Sequence, residues 1–595
     1  MKKIGIGYED YKRFIDEDMY YVDKTMLIDD VIKKGGEVTL FTRPRRFGKS
    51  LALSMLRTFF ELEYDRDGNP VDKKRYFEGK KIMGASDEIL SMMGKHPVIK
   101  LSLKSAKQPN FREAALQLRD EIVSEFNRHI YVKDSDALTE EEAKQFNELS
   151  VTRKRDELRN EKDFGEEIGR YATALKTLSV CLKKHHDKNV IILIDEYDVP
   201  LENAYYEGFY KEMVGFIRSL FESALKTNDA LEFGVVTGCL RISKESIFTG
   251  LNHLKINSVM DDTFSEGFGF TEQETECMLI DYGLEANIPE VKEWYNGYLF
   301  GDTQIYNPWS VISYVDSIVN DGRKLPRPFW ANTSSNQIIR DMIWHADEAM
   351  KQELDVLIKG GTIEKQIHED ITYDEIYKDQ NNLWNFMFFT GYLKKTAERY
   401  DKKTKSTYIT MMIPNWETEY IYRQKIMSWF DQEIVQKSNR SALFETMKNG
   451  DADGFEREIN KLLAPSISYM DSYENFYHGF MAGILTGSDE YAVKSNRESG
   501  DGRSNLLMKT GDVFEKAFVI ELKTVKQNGK KPVTMEMMDT AADEAIQQID
   551  DLCYTDALLE EGYGNIGRYG ISFFKKRCLY GQSLLGTAYP QRRFS

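Results

Sequence analysis

Glu37-Val38-Thr39-Leu40-Phe41-Thr42-Arg43-Pro44-Arg45-Arg46-Phe47-Gly48-Lys49-Ser50-Leu51 passes from a β-prone run, through a loop closed by Gly-Lys-Ser, into a helical segment. Beyond the loop, Leu51, Leu53, Met55, Leu56, Phe59 and Phe60 recur at helix-compatible spacing. Strand, tight loop and helix in that order is the setting a phosphate-binding P-loop requires. Gly48 lets the backbone curl close to a phosphate, and the first amides of the helix aim their positive dipole end at it. Lys49 would reach the β- and γ-phosphates and the Ser50 hydroxyl would ligate Mg²⁺. The match has a gap. The motif asks for glycine five residues before Gly48, where Arg43 stands, and Pro44 removes an amide from the loop.

A second element supplies what Gly-Lys-Ser lacks. Asn189-Val190-Ile191-Ile192-Leu193-Ile194-Asp195-Glu196 is an apolar run ending in two carboxylates, the pattern of a buried parallel strand. Its end lies where doubly wound sheets bind ligands. Asp195 would hold Mg²⁺ through water, and Glu196 would polarise the attacking water. The bland alternative is a strand end capped by two acids. A third strand, Leu231-Glu232-Phe233-Gly234-Val235-Val236-Thr237-Gly238, places Thr237 to sense the γ-phosphate, with Arg241 beyond it. Arg241 would stabilise charge on the transferring phosphoryl group or, equally, be a surface arginine opening a helix. Val98-Ile99-Lys100-Leu101-Ser102-Leu103 reads as a further sheet strand.

Tyr21-Val22-Asp23-Lys24-Thr25, Thr42 to Leu51, and Leu193-Ile194-Asp195-Glu196-Tyr197-Asp198 resemble the AAA-ATPase-like family. Trp294-Tyr295-Asn296-Gly297-Tyr298, Tyr306-Asn307-Pro308-Trp309-Ser310 and Phe329-Trp330-Ala331-Asn332-Thr333-Ser334 extend that resemblance over nearly the whole chain. In that family the Arg-Pro-Arg-Arg-Phe loop is the usual form, so the resemblance makes Arg43 no defect. It implies ATP and Mg²⁺ as cofactors. Arg45, Arg46, Phe47, Gly48, Lys49, Ser50, Leu51, Asp195 and Thr237 would form the nucleotide-binding set. It also implies a C-terminal domain of the PD-(D/E)xK nuclease superfamily.

The C-terminal residues carry that second expectation. Tyr491-Ala492-Val493 and Leu506-Leu507-Met508 read as strands, Ala517 to Lys523 as an apolar strand ending in Glu-x-Lys, Glu544 to Ile549 as part of a helix, and Tyr569 to Phe573 as a final strand. On a strand, Glu521 and Lys523 share a face. Glu521 would ligate metal, and Lys523 would orient or activate the water that attacks phosphorus. Gly502-Arg503-Ser504 upstream and Gln547 downstream sharpen an otherwise common Glu-x-Lys signal. The family pattern Gly-Arg-x-Asp puts a metal-binding aspartate where this chain has Asn505, a neutral and poorer ligand for a hard cation. Asp501 stands four residues earlier, roughly 13 Å along an extended chain, too far to substitute. Either a degenerate domain or a deliberate replacement would give this residue, and both imply weak or absent cleavage.

The resulting fold class is α/β, in four parts: a P-loop NTPase domain (1–270), a helical lid (271–345), a mainly helical connector (346–470) and a restriction-endonuclease-like α/β domain (471–595). Thr271 followed by Glu274 fits a capping box opening the lid's first helix. Trp294, Tyr295, Tyr298, Tyr306, Trp309, Phe329 and Trp330 read as packing ahead of base stacking. In 595 residues no apolar run reaches the roughly 18 needed for a membrane span. The start lacks a signal-peptide core, and five scattered cysteines without a CxxC pair suit a reducing, cytoplasmic setting. A net charge of −17 argues against whole-surface attraction to nucleic acid but leaves room for a local basic groove, with Arg43 to Arg46 the candidate. The expected partner is nucleic acid, DNA ahead of RNA, with homo-oligomerisation open. The competing reading is a nucleotide-dependent switch that binds nucleic acid or protein and cuts neither.

Overall fold

The computed structural model describes residues 1–65, 67–158, 160–241, 247–248, 253–322, 325–332, 346–369, 373–376, 379–430, 441–463, 474–486, 491–497, 504–525, 532–574 and 577–584. Thr333-Ser334, Asp501, Gly502-Arg503 and the side chain of Asn505 lie outside that description. The chain forms two compact units, Met1–Ser335 with Thr362–Ile421, and Asn336–Gly361 with Tyr422–Ser595.

The first unit is built on a five-stranded sheet of β1 (Val38–Thr42), β2 (Val98–Ser102), β3 (Val190–Asp195), β4 (Leu231–Gly238) and β5 (Leu254–Asn257), in the order β2-β3-β4-β1-β5. Every pairing is parallel. β1 and β3 are buried at each residue, which is why they read as unbroken apolar runs rather than alternating ones. β5, with Lys255 between two aliphatic residues at the sheet edge, carries no such run. Because β4 separates β1 from β3, the loop after β1 and the acids after β3 stand two strand spacings apart, about 10 Å.

Residues 270–306 add a small antiparallel sheet of β6 (Phe270–Thr271), β7 (Tyr298–Phe300) and β8 (Thr303–Tyr306). Around it lie helices Glu272–Asp281, Ile288–Tyr295 and Pro308–Val319. The capping box forms: Glu274 N donates to Thr271 Oγ1 at 3.2 Å, and Thr271 N to Glu274 Oε2 at 2.8 Å. Tyr295, Tyr298, Tyr306 and Trp330 are buried, so these aromatics are packing residues.

Residues 362–421 also belong to this unit. Among them β9 (Ile363–Gln366), β10 (Lys394–Asp401) and β11 (Ser406–Met412) form an antiparallel sheet within a stretch that reads as mainly helical. The reason is β10, Lys-Lys-Thr-Ala-Glu-Arg-Tyr-Asp, which is half-buried or exposed throughout and so lacks the alternation that marks a strand. The segment returns to the phosphate loop. A Cβ added to Gly391 would come within 2.9 Å of Pro44 Cβ, and the Tyr373 ring stacks on Tyr205 with centroids 6.0 Å apart.

The second unit holds β12 (Ala492–Arg497), β13 (Ser504–Lys509), β14 (Ala517–Thr524), β15 (Ile566–Phe574) and β16 (Arg577–Leu584), paired in that order. β14 and β15 are parallel and the other pairs antiparallel. β16, not β15, is the last strand. Helix Met535–Asp551 links β14 to β15 and lies close on the sheet at Gly570, where a Cβ would sit 2.2 Å from Ala542 O. Among the described residues no helix is long and apolar enough to cross a membrane.

Candidate nucleotide and nuclease sites

Gly48 caps helix Lys49–Phe60 at φ +84°, a left-handed conformation that favours glycine. A Cβ there would meet nothing within 4 Å, so backbone conformation rather than space demands glycine. Lys49 is buried, and its ammonium donates to Arg43 O at 2.8 Å and Pro44 O at 2.9 Å, with Cys239 Sγ 3.6 Å away. The lysine therefore folds back into the concavity of its own loop.

Arg43 explains why this loop does without its first glycine. The side chain is fully buried, with Nη1 donating to Thr42 O at 2.9 Å and Asn257 O at 3.0 Å, and Nη2 to Asn257 Oδ1. Its guanidinium lies 4.9 Å from the Phe300 ring and 5.4 Å from that of Phe268. Burial pushes its pKa down to about 9, so it remains charged at neutral pH. Arg43 thus ties the start of the loop to the edge strand β5. Phe47 is equally buried, edge-on to Tyr298 at 5.0 Å, and its carbonyl accepts from Gly269 N at 3.0 Å. Both side chains anchor the loop. Arg45 is ion-paired with Glu202, and Arg46, at φ +72°, places its guanidinium 4.2 Å from the Trp309 ring. The run Arg43 to Arg46 is therefore spent largely within the unit rather than displayed as a basic groove.

At the far side of β4, Asp195 is buried and accepts from Thr237 Oγ1 at 2.5 Å. Register brings this about, since β3 and β4 pair in parallel with Ile194 opposite Val236. Glu196 follows at φ +53°. Burial and the adjacent Asp195 raise its pKa, while Lys49 and Lys104 are near enough to pull it back. Lys49 meets Cys239 just past β4, and Asp195 meets Thr237 at the end of β4. Ser50 and Leu51 occupy the first turn of the helix. Arg241 is ion-paired with Glu369 at 2.7 Å, so the later segment already engages it.

Three contributors left little trace in the sequence. Asp198 Oδ2 accepts from Cys239 N at 2.7 Å and Leu240 N at 3.1 Å, and Tyr197 donates its hydroxyl to Leu240 O at 2.6 Å. Together they fix the turn between Thr237 and Arg241. Both belong to the Leu193 to Asp198 motif, yet nothing local says what they hold. Glu369 is the third, and its pairing with Arg241 spans 128 positions.

In the second unit Glu521 is buried on β14, and among the described residues its Oε2 has no hydrogen-bond partner. Burial raises its pKa to about 8, against the pull of Lys523. Lys523 donates to Gln548 on helix Met535–Asp551. Gln547, the residue that sharpened the motif, bonds Asp551 instead at 2.8 Å. One helical position is a rotation of about 100°, which turns one glutamine to the sheet and its neighbour to solvent. Asn505 is the direct cross-strand partner of Glu521.

Among the described residues no group of three or more His, Cys, Asp or Glu side chains could hold a metal ion by itself. The hydroxyl of Ser50 and the carboxylate of Asp195 nevertheless fit Mg²⁺ that arrives with a nucleotide, because this cation keeps waters and phosphate oxygens as most of its ligands. The orphaned oxygen of Glu521 fits a cation or a proton equally.

A parallel sheet with a Gly-Lys-Ser loop at one strand end and a buried aspartate two strands away defines a P-loop nucleotide-binding core. A mixed sheet bearing Glu-x-Lys on its central strand defines a nuclease-type frame. Comparison with known proteins agrees. Residues 5–248 match the AAA-ATPase-like family, described as a predicted AAA-ATPase, and residues 472–583 match the PD-(D/E)XK nuclease superfamily. The chain has the architecture of a predicted AAA-ATPase joined to a PD-(D/E)XK nuclease superfamily domain. It is also 28% identical over 574 residues to an uncharacterized protein in the vnfD 5' region of Azotobacter chroococcum mcd 1, with 94% of each chain covered.

Proposed function

We propose that the first unit binds and hydrolyses ATP with Mg²⁺, and that its nucleotide state governs a C-terminal domain acting on nucleic acid, DNA ahead of RNA. The observation that carries this is the placing of two groups about β4: Lys49 lies against Cys239 just past its end, and Asp195 is bonded to Thr237 at its end. Lys49 releases its two loop carbonyls and takes the β- and γ-phosphates. Ser50 and Asp195 would hold Mg²⁺, which would neutralise phosphate charge when bound. Thr237 keeps the Asp195 carboxylate oriented, and Glu196, its pKa raised by burial, accepts a proton from the attacking water. Arg241 exchanges Glu369 for the γ-phosphate. ATP binding and turnover test this directly: Lys49→Ala should abolish binding, and Glu196→Gln should keep binding while losing turnover. ATP turnover undiminished in both would sink it.

For the C-terminal domain, Glu521 and Lys523 supply one carboxylate and one amine, and Asn505 leaves the cation short of negative charge. Cleavage is accordingly impaired in this sequence. The second reading, a nucleotide-dependent binding switch without cleavage, is favoured by the burial of Glu521, which raises its pKa to about 8 and so favours the neutral acid over a charged metal ligand at neutral pH. Asn505→Asp separates the two. Restored Mg²⁺-dependent cleavage supports the nuclease, whereas a variant that binds Mg²⁺ and leaves every DNA and RNA intact supports the switch.

A further inference from the structure

Two oxygen atoms on the sheet of the second unit are buried with nothing to bond. Among the described residues, Glu521 Oε2 and Ser572 Oγ have no hydrogen-bond partner, and both side chains are shut off from solvent. A buried polar atom left so costs stability, and folded chains keep one where a water, an ion or a ligand comes in. Register sets the two close together. β14 and β15 pair in parallel, with Glu521 opposite Gly570 and Lys523 opposite Ser572. Residues two apart on a strand share a face, so Glu521, Lys523 and Ser572 lie on the same one. Helix Met535–Asp551 covers that face, meeting Gly570 through Ala542 and Ile546. Strand geometry puts the Cα atoms of Glu521 and Ser572 about 8 Å apart.

The two oxygens do not bond each other, so a third party is needed between them. Lys523 is turned elsewhere, its ammonium donating to Gln548. Gly570, beside Glu521, puts no side chain in the way. The face is closed at Glu521 and opens at the half-buried Lys523, which leaves a way in from the end of β14.

We propose that Ser572 is a further ligand of the C-terminal site, its hydroxyl and the Glu521 carboxylate sharing one Mg²⁺ or Mn²⁺ ion. The assignment rests on the metal-dependent reading of that domain and adds a residue that the Glu-x-Lys pattern does not contain. Both donors are hard oxygens, the kind these cations take, and a serine hydroxyl serves Mg²⁺ in phosphate loops as well. Ser572 comes from β15, whereas Asn505 lies on β13, the strand on the other side of β14. Ser572 therefore adds an oxygen but no charge, and does not stand in for the missing aspartate.

Mn²⁺ titration of the full chain without nucleotide, followed by the free-ion electron paramagnetic resonance signal, tests the proposal. Glu521→Gln identifies the site by abolishing it, and Ser572→Ala should weaken it at least about tenfold, no less than the loss of an outer-sphere partner costs. Ser572→Cys offers a soft donor and should weaken Mn²⁺ while tightening Cd²⁺, a reversal that a packing role would not produce. In EDTA, Ser572→Ala should melt at or above the parent's temperature, because the hydroxyl it removes is unbonded. Equal Mn²⁺ affinity in Ser572→Ala and the parent, with Glu521→Gln deficient, would overturn the role of Ser572 and leave the nuclease reading standing. Mn²⁺ binding that is absent, or untouched by all three substitutions, would overturn both. A Ser572→Ala that melts well below the parent in EDTA would show the hydroxyl bonded within the fold and sink the proposal alone.

Discussion

Replacing Arg43 by glycine, which writes the missing residue of the phosphate-loop motif back into the chain, should damage the protein. The guanidinium donates three hydrogen bonds inside the unit, and its stem fills space between Phe268 and Phe300. Removing it strands two main-chain carbonyls and the Asn257 side-chain oxygen, at about 1–3 kcal/mol for buried acceptors left unmet. It also opens a cavity where a large side chain was fully enclosed, and truncations of that size cost about 3–5 kcal/mol. Release from burying a charge offsets part of this. A net loss of about 3–5 kcal/mol follows, a large share of a typical domain's stability. Arg43→Met fills the space and only leaves the acceptors, so about 1–3 kcal/mol is expected. Urea unfolding by tryptophan fluorescence, with nucleotide affinity measured well below the transition, reads both. If Arg43→Gly unfolds at the parent's midpoint, or is the more stable of the two variants, the anchoring role assigned to Arg43 is wrong.

Glu417 is buried with Oε2 accepting from Ser310 Oγ and Oε1 from Trp330 N, each at 2.7 Å, and burial raises its pKa to about 8. A folded pKa above the unfolded value means stability that is full below about pH 4 and lost as pH rises through 8. Glu417→Gln keeps both contacts and should flatten the fall in Tm between pH 6 and 9; an unchanged slope would count against it. Glu369→Gln should loosen the hold on Arg241 and tighten ATP binding or speed turnover about two- to fivefold, the upper range of a partly exposed ion pair, and an ATPase indistinguishable from the parent's would show that the pair does not compete with phosphate. Thr237→Val removes the hydroxyl bonded to Asp195 and should lower kcat about tenfold or more with little change in ATP affinity; a loss confined to affinity would assign Thr237 to binding instead.

The sequence by itself determined the sheet strands β1 to β4, because strands buried on both faces must be apolar along their length, and a lysine and an acid at such strand ends have few roles besides phosphate and cation. It equally determined the Glu-x-Lys strand, since alternation puts both residues on one face. Tertiary structure alone decided the rest. Arg43 reads as a flaw in a motif until Asn257, Phe268 and Phe300 close around it, partners more than 200 positions away. Gln548, not Gln547, meets Lys523 because the angular setting of a helix is fixed by how it lies over Gly570. Residues 362–421 join the first unit through Gly391 on Pro44 and Glu369 on Arg241, contacts between segments whose local patterns are silent about each other. Periodicity records which side of an element is buried, and it carries no information about what buries it.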